Sequence, residues 1–459
     1  MVSIVAFILF LVFVVYRDRK KFERESIILI RRTQRGKGIL HKIGNSCPKL
    51  WKVIGTAGVC ITMLASVYIF FYLVYNTLKV VFVKQTVGAL QVVLPSPTQN
   101  IIVAPGIFAI PFWYWIIPLA ILVVAHEGSH GIMSVVEKVP IKSLGWGLLL
   151  VIPLAFVEPD EKSLEQKGMW SQLRVFAAGS FANFILGGIF VVVAMVFASM
   201  FFVPSGVAYS SLIKDYPASK VNLSGVIVSI DGKPVRTLKD LIHVTEEIGP
   251  NKTIEIITQN RTSNTTYILT TTEPPKGEYN VSFDAAFWLT LEQYMPGIID
   301  ISRHIGQFLT RITGGEVIRG WSSIENEIKM WEYAEKNYPL LKKRAELKIS
   351  ELKDELKLHK KPGYIGILGI YTYYTVAERV KEFDGLLQFL YGLFVFTILL
   401  NFGIGFANML PIKPLDGGRM WDVIFKRVSP KNAGIMTKYL GIVTFMLIIL
   451  NFIGPLIKF

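Results

Sequence analysis

The stretch ILVVAHEGSHGIMSVV, residues 121–136, places two histidines and a glutamate inside an almost unbroken apolar run. If the run is helical, His126 and His130 are four residues apart and project from one face, one turn apart. Ionisable side chains at membrane depth are costly and need a partner. The stretch therefore indicates either a buried polar site in a membrane helix or a pair of core histidines beside a salt-bridged glutamate.

The spacing of the three side chains fits metal chemistry. Two imidazoles at i and i+4 can bind one zinc ion, and Glu127, next to the first histidine, can act as general base; this is the H-E-x-x-H pattern. An apolar surrounding disfavours the core-histidine alternative, because hydrocarbon does not accommodate an unpaired polar trio.

The composition predicts a membrane protein. The chain has 459 residues, of which 52% are hydrophobic and 18% charged, and the charged share lies well below the usual quarter. We expect a multi-pass α-helical membrane protein with about six transmembrane helices. The candidate spans are 1–16, which is short, 54–83, 107–135, 175–203, 386–410 and 439–457. The run 144–157 is too short to span and predicts a re-entrant or interfacial strand pair.

Basic residues predict the orientation. Segment 17–52 holds twelve lysines and arginines, which places it in the cytoplasm, and the loops after the third and fifth spans are basic as well.

The net charge of +15 is explained by these membrane flanks. No interleaving of aromatic and basic residues supports a nucleic-acid partner. The two cysteines, Cys47 and Cys60, exclude a disulfide framework.

Region 205–275 predicts an inserted extracytoplasmic α+β domain. It alternates β-branched and polar residues, with an Asp231-Gly232 turn and a helix near 238–247. GVIVSIDGKPVRTLKDLIHVT is similar to a PDZ domain, a module that binds extended peptides. N-x-S/T sequons, candidates for N-glycosylation, fall in the region assigned outside the membrane. The sequon asparagines are Asn222, Asn251, Asn260, Asn264 and Asn280.

The remainder of the insertion predicts an amphipathic helix or hairpin. In 316–361, apolar residues recur at helical spacing and charges fill the other faces. The segment 363–374 predicts a strand that returns to the membrane. The expected domain boundaries are 1–104, 105–203, 204–275, 276–384 and 385–459.

A third zinc ligand is required for a catalytic site. The other histidines, His41, His243, His304 and His359, lie outside the apolar spans. In NMLPIKPLDGGRM, residues 408–420, Asp416 follows the fifth span, where prolines break the helix. Its carboxylate can reach the metal, or it can cap an ordinary helix-terminating turn.

These motifs together resemble the site-2 protease family of intramembrane zinc metalloproteases. The match comprises H-E-G-S-H, the later N-M-L-P-x-x-P-L-D-G-G, the Gly179-x-x-x-Asn183 element and the PDZ-like insertion. The resemblance implies that His126, His130 and Asp416 bind one zinc ion and that Glu127 is the general base. It implies contacts of Asn183 and Asn408 with the substrate or the oxyanion, although hydrogen bonding between helices explains these two residues equally well.

The expected activity is therefore cleavage of transmembrane segments of membrane-anchored proteins, with the active site toward the cytoplasm and the PDZ-like domain outside. The membrane is the cell membrane, or an internal one in a eukaryote. The partners are helical membrane substrates and the bilayer, and the need for an upstream protease is left open.

Three alternatives remain. The first is a tethered zinc protease of another class, with Glu158 or Glu165 as third ligand and a cytoplasmic site. The others are a non-enzymatic receptor or scaffold, and a transporter, for which no inverted repeat is visible.

Overall fold

A computed structural model describes most of the chain: residues 2–25, 28–83, 92–97, 101–104, 107–149, 152–260, 263–274, 289, 292–293, 299–300, 303 and 321–454. The chain divides into two compact units. We call Met1–Ala194 with Phe389–Phe459 the core unit, and Met195–Gln388 the inserted unit.

The N-terminal part of the core unit consists of helices and a short hairpin. Its elements are α1 (Val2–Arg17), β1 (Glu23–Glu25), β2 (Ile28–Thr33), α2 (Lys37–Ser46) and α3 (Pro48–Val83). α3 has 36 residues and is apolar on all faces over most of its length, as expected of a helix that contacts lipid or other apolar helices throughout.

The H-E-x-x-H stretch lies in the next group of elements. They are β3 (Val92–Ser96), β4 (Ile101–Ala104), β5 (Ile107–Pro111), α4 (Phe112–Val136), β6 (Ile141–Leu149), β7 (Ile152–Pro159), α5 (Glu161–Glu165) and α6 (Met169–Phe201). β6 and β7 form an antiparallel hairpin, which confirms the strand pair predicted for 144–157. β2 and then β1 extend this hairpin in the order β1-β2-β6-β7, so β7 is an edge strand among the strands described.

The inserted unit is built around a mixed set of short strands and helices. Its elements are β8 (Phe202–Ala208), β9 (Ser211–Leu212), α7 (Pro217–Lys220), β10 (Val226–Ile230), β11 (Lys233–Pro234), α8 (Leu238–Ile248), β12 (Thr253–Gln259), β13 (Asn264–Thr270), α9 (Trp321–Asn337), α10 (Lys342–Leu356), β14 (Ile367–Leu368) and β15 (Tyr371–Val376). The turn and the helix predicted within 205–275 are both present, and strands precede and follow them. Asp231 and Gly232 both have positive φ, of 47° and 73°, as a tight hairpin turn with Asp-Gly requires.

The main sheet of this unit uses residues from both ends of the insertion. Its strand order is β13-β12-β10-β8-β15, with β11 beside β10, and a buried cluster including Ile227, Ile254 and Ile365 packs on it. The sheet therefore continues past residue 275, where the sequence suggested a boundary. Identity of this fold with a PDZ domain stays a prediction.

The predicted amphipathic segment is a pair of packed helices. α9 and α10 bury Trp331, Ala345 and Ile349 between them. Among the sequon asparagines, Asn222, Asn251, Asn260 and Asn264 are exposed, and Asn280 lies outside the described residues. Glycan occupancy stays a prediction.

Three helices complete the core unit: α11 (Asp384–Asn408), α12 (Asp416–Val428) and α13 (Ala433–Ile453). The turn between α11 and α12 is compact because two glycines let backbone pack on backbone. A Cβ on Gly417 would lie 2.3 Å from the carbonyl oxygen of Met409, and one on Gly418 would lie 2.3 Å from the carbonyl carbon of Ile412. No other residue type fits these positions without moving the turn.

Five helices among the described residues are long and apolar enough to cross a membrane: Pro48–Phe82, Phe112–Val136, Met169–Phe201, Glu378–Asn408 and Ala433–Ile453. They fit a multi-pass helical membrane protein. The first of the six expected spans corresponds to a shorter apolar helix, Ser3–Arg17. About 20 helical residues are needed to cross the hydrocarbon, so this helix is not among the five.

Candidate metal centre

Helix α4 presents the two histidines on one face. His126 and His130 are one turn apart, and their Nε2 atoms are 3.2 Å from each other. His126 is 7% exposed, and the side chain of His130 is 12% exposed. The helical spacing read from the sequence therefore brings both imidazoles to one buried point.

Helix α6 supports both imidazoles with three residues at i, i+4 and i+8. The carbonyl oxygen of Val175 lies 2.7 Å from His130 Nδ1, and Asn183 Nδ2 lies 3.1 Å from His126 Nδ1. Between them, Gly179 passes so close that a Cβ there would lie 2.3 Å from His130 Nε2. These three positions form one stripe along α6 that faces the histidine pair.

The compact turn before α12 brings in the carboxylate. Asp416 is the first residue of α12, and its Oδ2 lies 3.4 Å from His126 Nε2 and 3.3 Å from His130 Nε2. Oδ2 is buried and receives no hydrogen bond from the residues that the structure describes. The carboxylate that the sequence placed within reach of the histidines does lie beside them.

The hydrogen bond of His130 is compatible with a role of its Nε2 atom as a metal ligand. A carbonyl oxygen can only accept, so the proton of a neutral His130 ring is on Nδ1, where it is donated to Val175. His130 Nε2 then carries a lone pair that points at a carboxylate oxygen and at a second imidazole nitrogen. Three electron-rich atoms this close to each other repel unless a positive charge, either a proton or a metal ion, lies between them.

The donor set also fits zinc in kind and spacing. Two imidazole nitrogens and one carboxylate oxygen form a ligand set found in catalytic zinc sites, with bonds of about 2.0–2.2 Å. Ligand atoms on a tetrahedral ion with such bonds are about 3.3 Å apart. The three separations in the protein are 3.2, 3.3 and 3.4 Å.

Glu127 points in a different direction from the histidines. Its Oε2 accepts a hydrogen bond of 3.1 Å from the main-chain N–H of Val157, on edge strand β7. Along a strand, the main-chain groups of alternate residues point to the same side. Because the N–H of Val157 points to Glu127 and not to β6, the main-chain groups of residues 153, 155 and 159 also face away from β6. Positions 153 and 159 are prolines, which strands accept where the N–H faces outward. The general base predicted from the sequence therefore lies beside the edge of β7 that faces away from β6.

Asn408, at the end of α11, lies on the ligand side of the cluster. Its Nδ2 is 3.2 Å from His126 Nε2, and the residue is half-buried. Both asparagines singled out in the sequence thus contact the same imidazole, one on each nitrogen.

The alternative third ligands lie elsewhere. Glu158 accepts a hydrogen bond of 2.6 Å from Ser143 Oγ, and Glu165 is exposed. Neither belongs to the one group of histidine and acidic side chains that could hold a metal among the described residues, which consists of His126, His130 and Asp416.

Sequence reasoning missed the support of the site. Val175 and Val157 act through main-chain atoms, which leave no residue-type signal. Arg174 pairs with buried Glu137 at 2.8 Å and donates to Thr56 Oγ1 at 2.9 Å; it ties the start of α6 to the end of α4 and to α3. A buried glutamate matched by an arginine beside an apolar span is the signal that could have revealed this pair.

Comparison with known proteins supplies the family context. A family model described as peptidase family M50 matches residues 114–450, well over half of the chain and inclusive of the whole cluster. A protein of Methanocaldococcus jannaschii described as uncharacterized is 29% identical over 259 residues. That match covers 56% of this chain and 66% of the other protein, just under two thirds of its length.

Proposed function

Because the chain belongs to peptidase family M50, the site-2 protease family, we propose that it is a zinc-dependent endopeptidase that cleaves transmembrane segments of membrane-anchored proteins. The observation that carries this proposal is the convergence of His126 Nε2, His130 Nε2 and Asp416 Oδ2 from two helices that are far apart in sequence. One of these, α4, is long and apolar enough to cross a membrane.

In the proposed reaction, His126, His130 and Asp416 would hold zinc. When bound, zinc supplies a Lewis acid that activates water and polarises a carbonyl group. Glu127 removes the proton from the attacking water and later gives it to the leaving amine of the cleaved peptide bond. Asn408, half-buried on the ligand side of His126, is placed to donate a hydrogen bond to the substrate.

The substrate must unwind before it is cut, because a helix hides its carbonyl groups in i to i−4 hydrogen bonds. Unpaired backbone at membrane depth is tolerated only where protein pairs it. We propose that the edge of β7 that faces away from β6 does this by strand addition, which would lay the chain past Glu127. Substrates should then carry helix-breaking residues near the cut. If replacement of those residues by leucine leaves cleavage unchanged, local unwinding is wrong.

The inserted unit is proposed to lie outside the membrane and to select substrates. It would exclude bulky ectodomains or bind a C-terminus left by an earlier protease. Removing it should widen the range of substrates cleaved. Unaltered discrimination between large and small ectodomains in a deletion variant would contradict this role.

The decisive experiment measures metal and activity together. The protein is purified in detergent, zinc per chain is counted by mass spectrometry, and a helical membrane substrate is offered in proteoliposomes. We expect one zinc per chain in both wild type and Glu127→Gln, and a cleavage rate about 10²–10⁴-fold lower in the variant. Wild-type protein without zinc, or a Glu127→Gln variant with full activity, would refute the proposal.

A further inference from the structure

The two asparagines near the cluster lie in different surroundings. Asn183 is 0% exposed and contacts His126 at Nδ1, the nitrogen that faces away from Asp416. Asn408 is half-buried and contacts Nε2, the nitrogen that faces Asp416. A side chain buried behind the imidazole cannot touch a substrate that binds in front of it.

Asn183 also carries an unused hydrogen-bonding atom. Its Oδ1 is buried and finds no donor in the part of the chain that the structure describes. Buried polar atoms are nearly always paired. A half-turn of the amide about its last torsion exchanges Oδ1 and Nδ2 without moving the backbone, and this would bring Oδ1 to His126 Nδ1.

The needs of a metal-binding imidazole decide between the two orientations. A nitrogen that binds a metal carries no proton, so the proton of neutral His126 must be on Nδ1 if Nε2 is the ligand atom. A proton on Nδ1 requires an acceptor, and Nδ2 cannot accept. His130 already has the complete arrangement, since its Nδ1 lies 2.7 Å from the Val175 carbonyl oxygen.

We propose that Asn183 is a positioning residue: its carbonyl oxygen accepts the Nδ1 proton of His126 and thereby presents Nε2 to zinc. The inference rests on the proposed zinc site. It assigns the substrate contact to Asn408 and removes it from Asn183. In this arrangement α6 supports both imidazoles at once, through Val175 four residues before Gly179 and Asn183 four residues after it.

Loss of such a partner weakens metal binding without removing a ligand. Replacing the hydrogen-bond partner of a metal-bound histidine typically costs 10–100-fold in metal affinity. An aspartate at the same position would keep the acceptor, because carboxylates serve as partners of zinc-bound histidines in many proteins. Leucine has a similar size and no acceptor.

The test titrates Zn²⁺ against a chromophoric chelator with full-length protein in detergent. We expect Asn183→Leu to bind zinc 10–100-fold more weakly than wild type, and Asn183→Asp to bind it within about threefold of wild type. Asn401→Leu is the matched control, since Asn401 is also 0% exposed and donates only to Thr397 O four residues earlier on α11; its zinc affinity should be unchanged.

Steady-state kinetics on the same variants separate positioning from substrate contact. With zinc saturating, Asn183→Leu should recover most of its cleavage rate with an unchanged KM, whereas Asn408→Leu should raise KM or lower kcat at full zinc occupancy. Wild-type zinc affinity in Asn183→Leu would overturn the inference, and so would an Asn183→Asp variant as weak as Asn183→Leu. Wild type that binds no zinc would instead refute the zinc site itself, so the two failures are distinguishable.

Discussion

The main-chain N–H of Val157 donates a hydrogen bond to Glu127 Oε2 over 3.1 Å, and this contact joins the proposed base to the strand edge proposed to bind substrate. Val157→Pro removes the donor, whereas Val157→Ala keeps it. Hydrogen bonds to charged groups contribute about 1.5–3 kcal/mol. We therefore expect Val157→Pro to retain zinc and to cleave about tenfold or more slowly, and Val157→Ala to cleave near the wild-type rate. Equal rates in both variants would show that the contact does not orient Glu127.

Gly179 should tolerate no side chain. A Cβ there would lie 2.3 Å from His130 Nε2 and 2.6 Å from His126 Nε2, and overpacking of this kind costs about 1–3 kcal/mol. Gly179→Ala should lose zinc affinity and cleavage together, as measured by chelator competition and by substrate cleavage in proteoliposomes.

Gly188→Ala provides the matched control for that substitution. Gly188 lies on the same helix, and a Cβ there has no neighbour within 4 Å among the described residues. This variant should bind zinc and cleave as wild type does. Similar losses in both variants would place the defect in the helix rather than in the imidazole pair.

Asp416→Asn should reduce zinc content below one per chain, because an amide oxygen is a weaker ligand than a carboxylate and adds no negative charge. Glu158→Gln and Glu165→Gln should keep full zinc content. Zinc retained in Asp416→Asn and lost in either glutamine variant would favour the tethered protease of another class.

Helix α8 in the inserted unit should lose stability at acid pH. Partial burial raises the pKa of the Asp240 carboxyl, but main-chain N–H donors of Thr237 and Arg236, at 2.9 and 3.0 Å, outweigh it and hold the pKa below its ordinary value. The carboxylate therefore stabilises the folded helix above the unfolded pKa of about 3.9, and the stabilisation fades as the pH falls through the lower folded pKa.

Hydrogen exchange of Leu238–Ile248, expressed as protection factors, measures this effect. Protection should fall below about pH 4. At neutral pH, Thr237→Ala removes the side-chain cap on Asp240 N–H. This substitution should lower the free energy of opening of the helix, calculated from the protection factors, by about 1 kcal/mol. Lys239→Ala, at an exposed position of the same helix, should leave it unchanged, and equal protection in the two variants would contradict the capping role.

Much of the site could be predicted because it is chemically out of place. His126, Glu127 and His130 stand out in an apolar run, and Asp416 stands out after a span that ends in prolines and glycines. The turn and the helix within 205–275 could also be predicted, since turn residues and periodicity are local signals.

The rest depends on pairing between distant segments. The addition of β2 to β6 and of β15 to β8 leaves no mark in either strand, because a strand that can pair does not specify its partner. The roles of Val175 and Val157 lie in main-chain atoms, and the stripe on α6 becomes meaningful only once α4 lies beside it.

That stripe makes the site sensitive to helical phase. Each residue turns an α-helix by about 100°. Insertion of a single residue between Gly179 and Asn183 would therefore rotate the Asn183 amide roughly a quarter of the circumference away from His126, while the Val175 carbonyl oxygen would stay beside His130. An insertion of seven residues returns the facing direction to within about 20° but shifts Asn183 about 10 Å along the axis. Length variation within this part of α6 should therefore disrupt the support of the imidazole pair whatever residue is inserted.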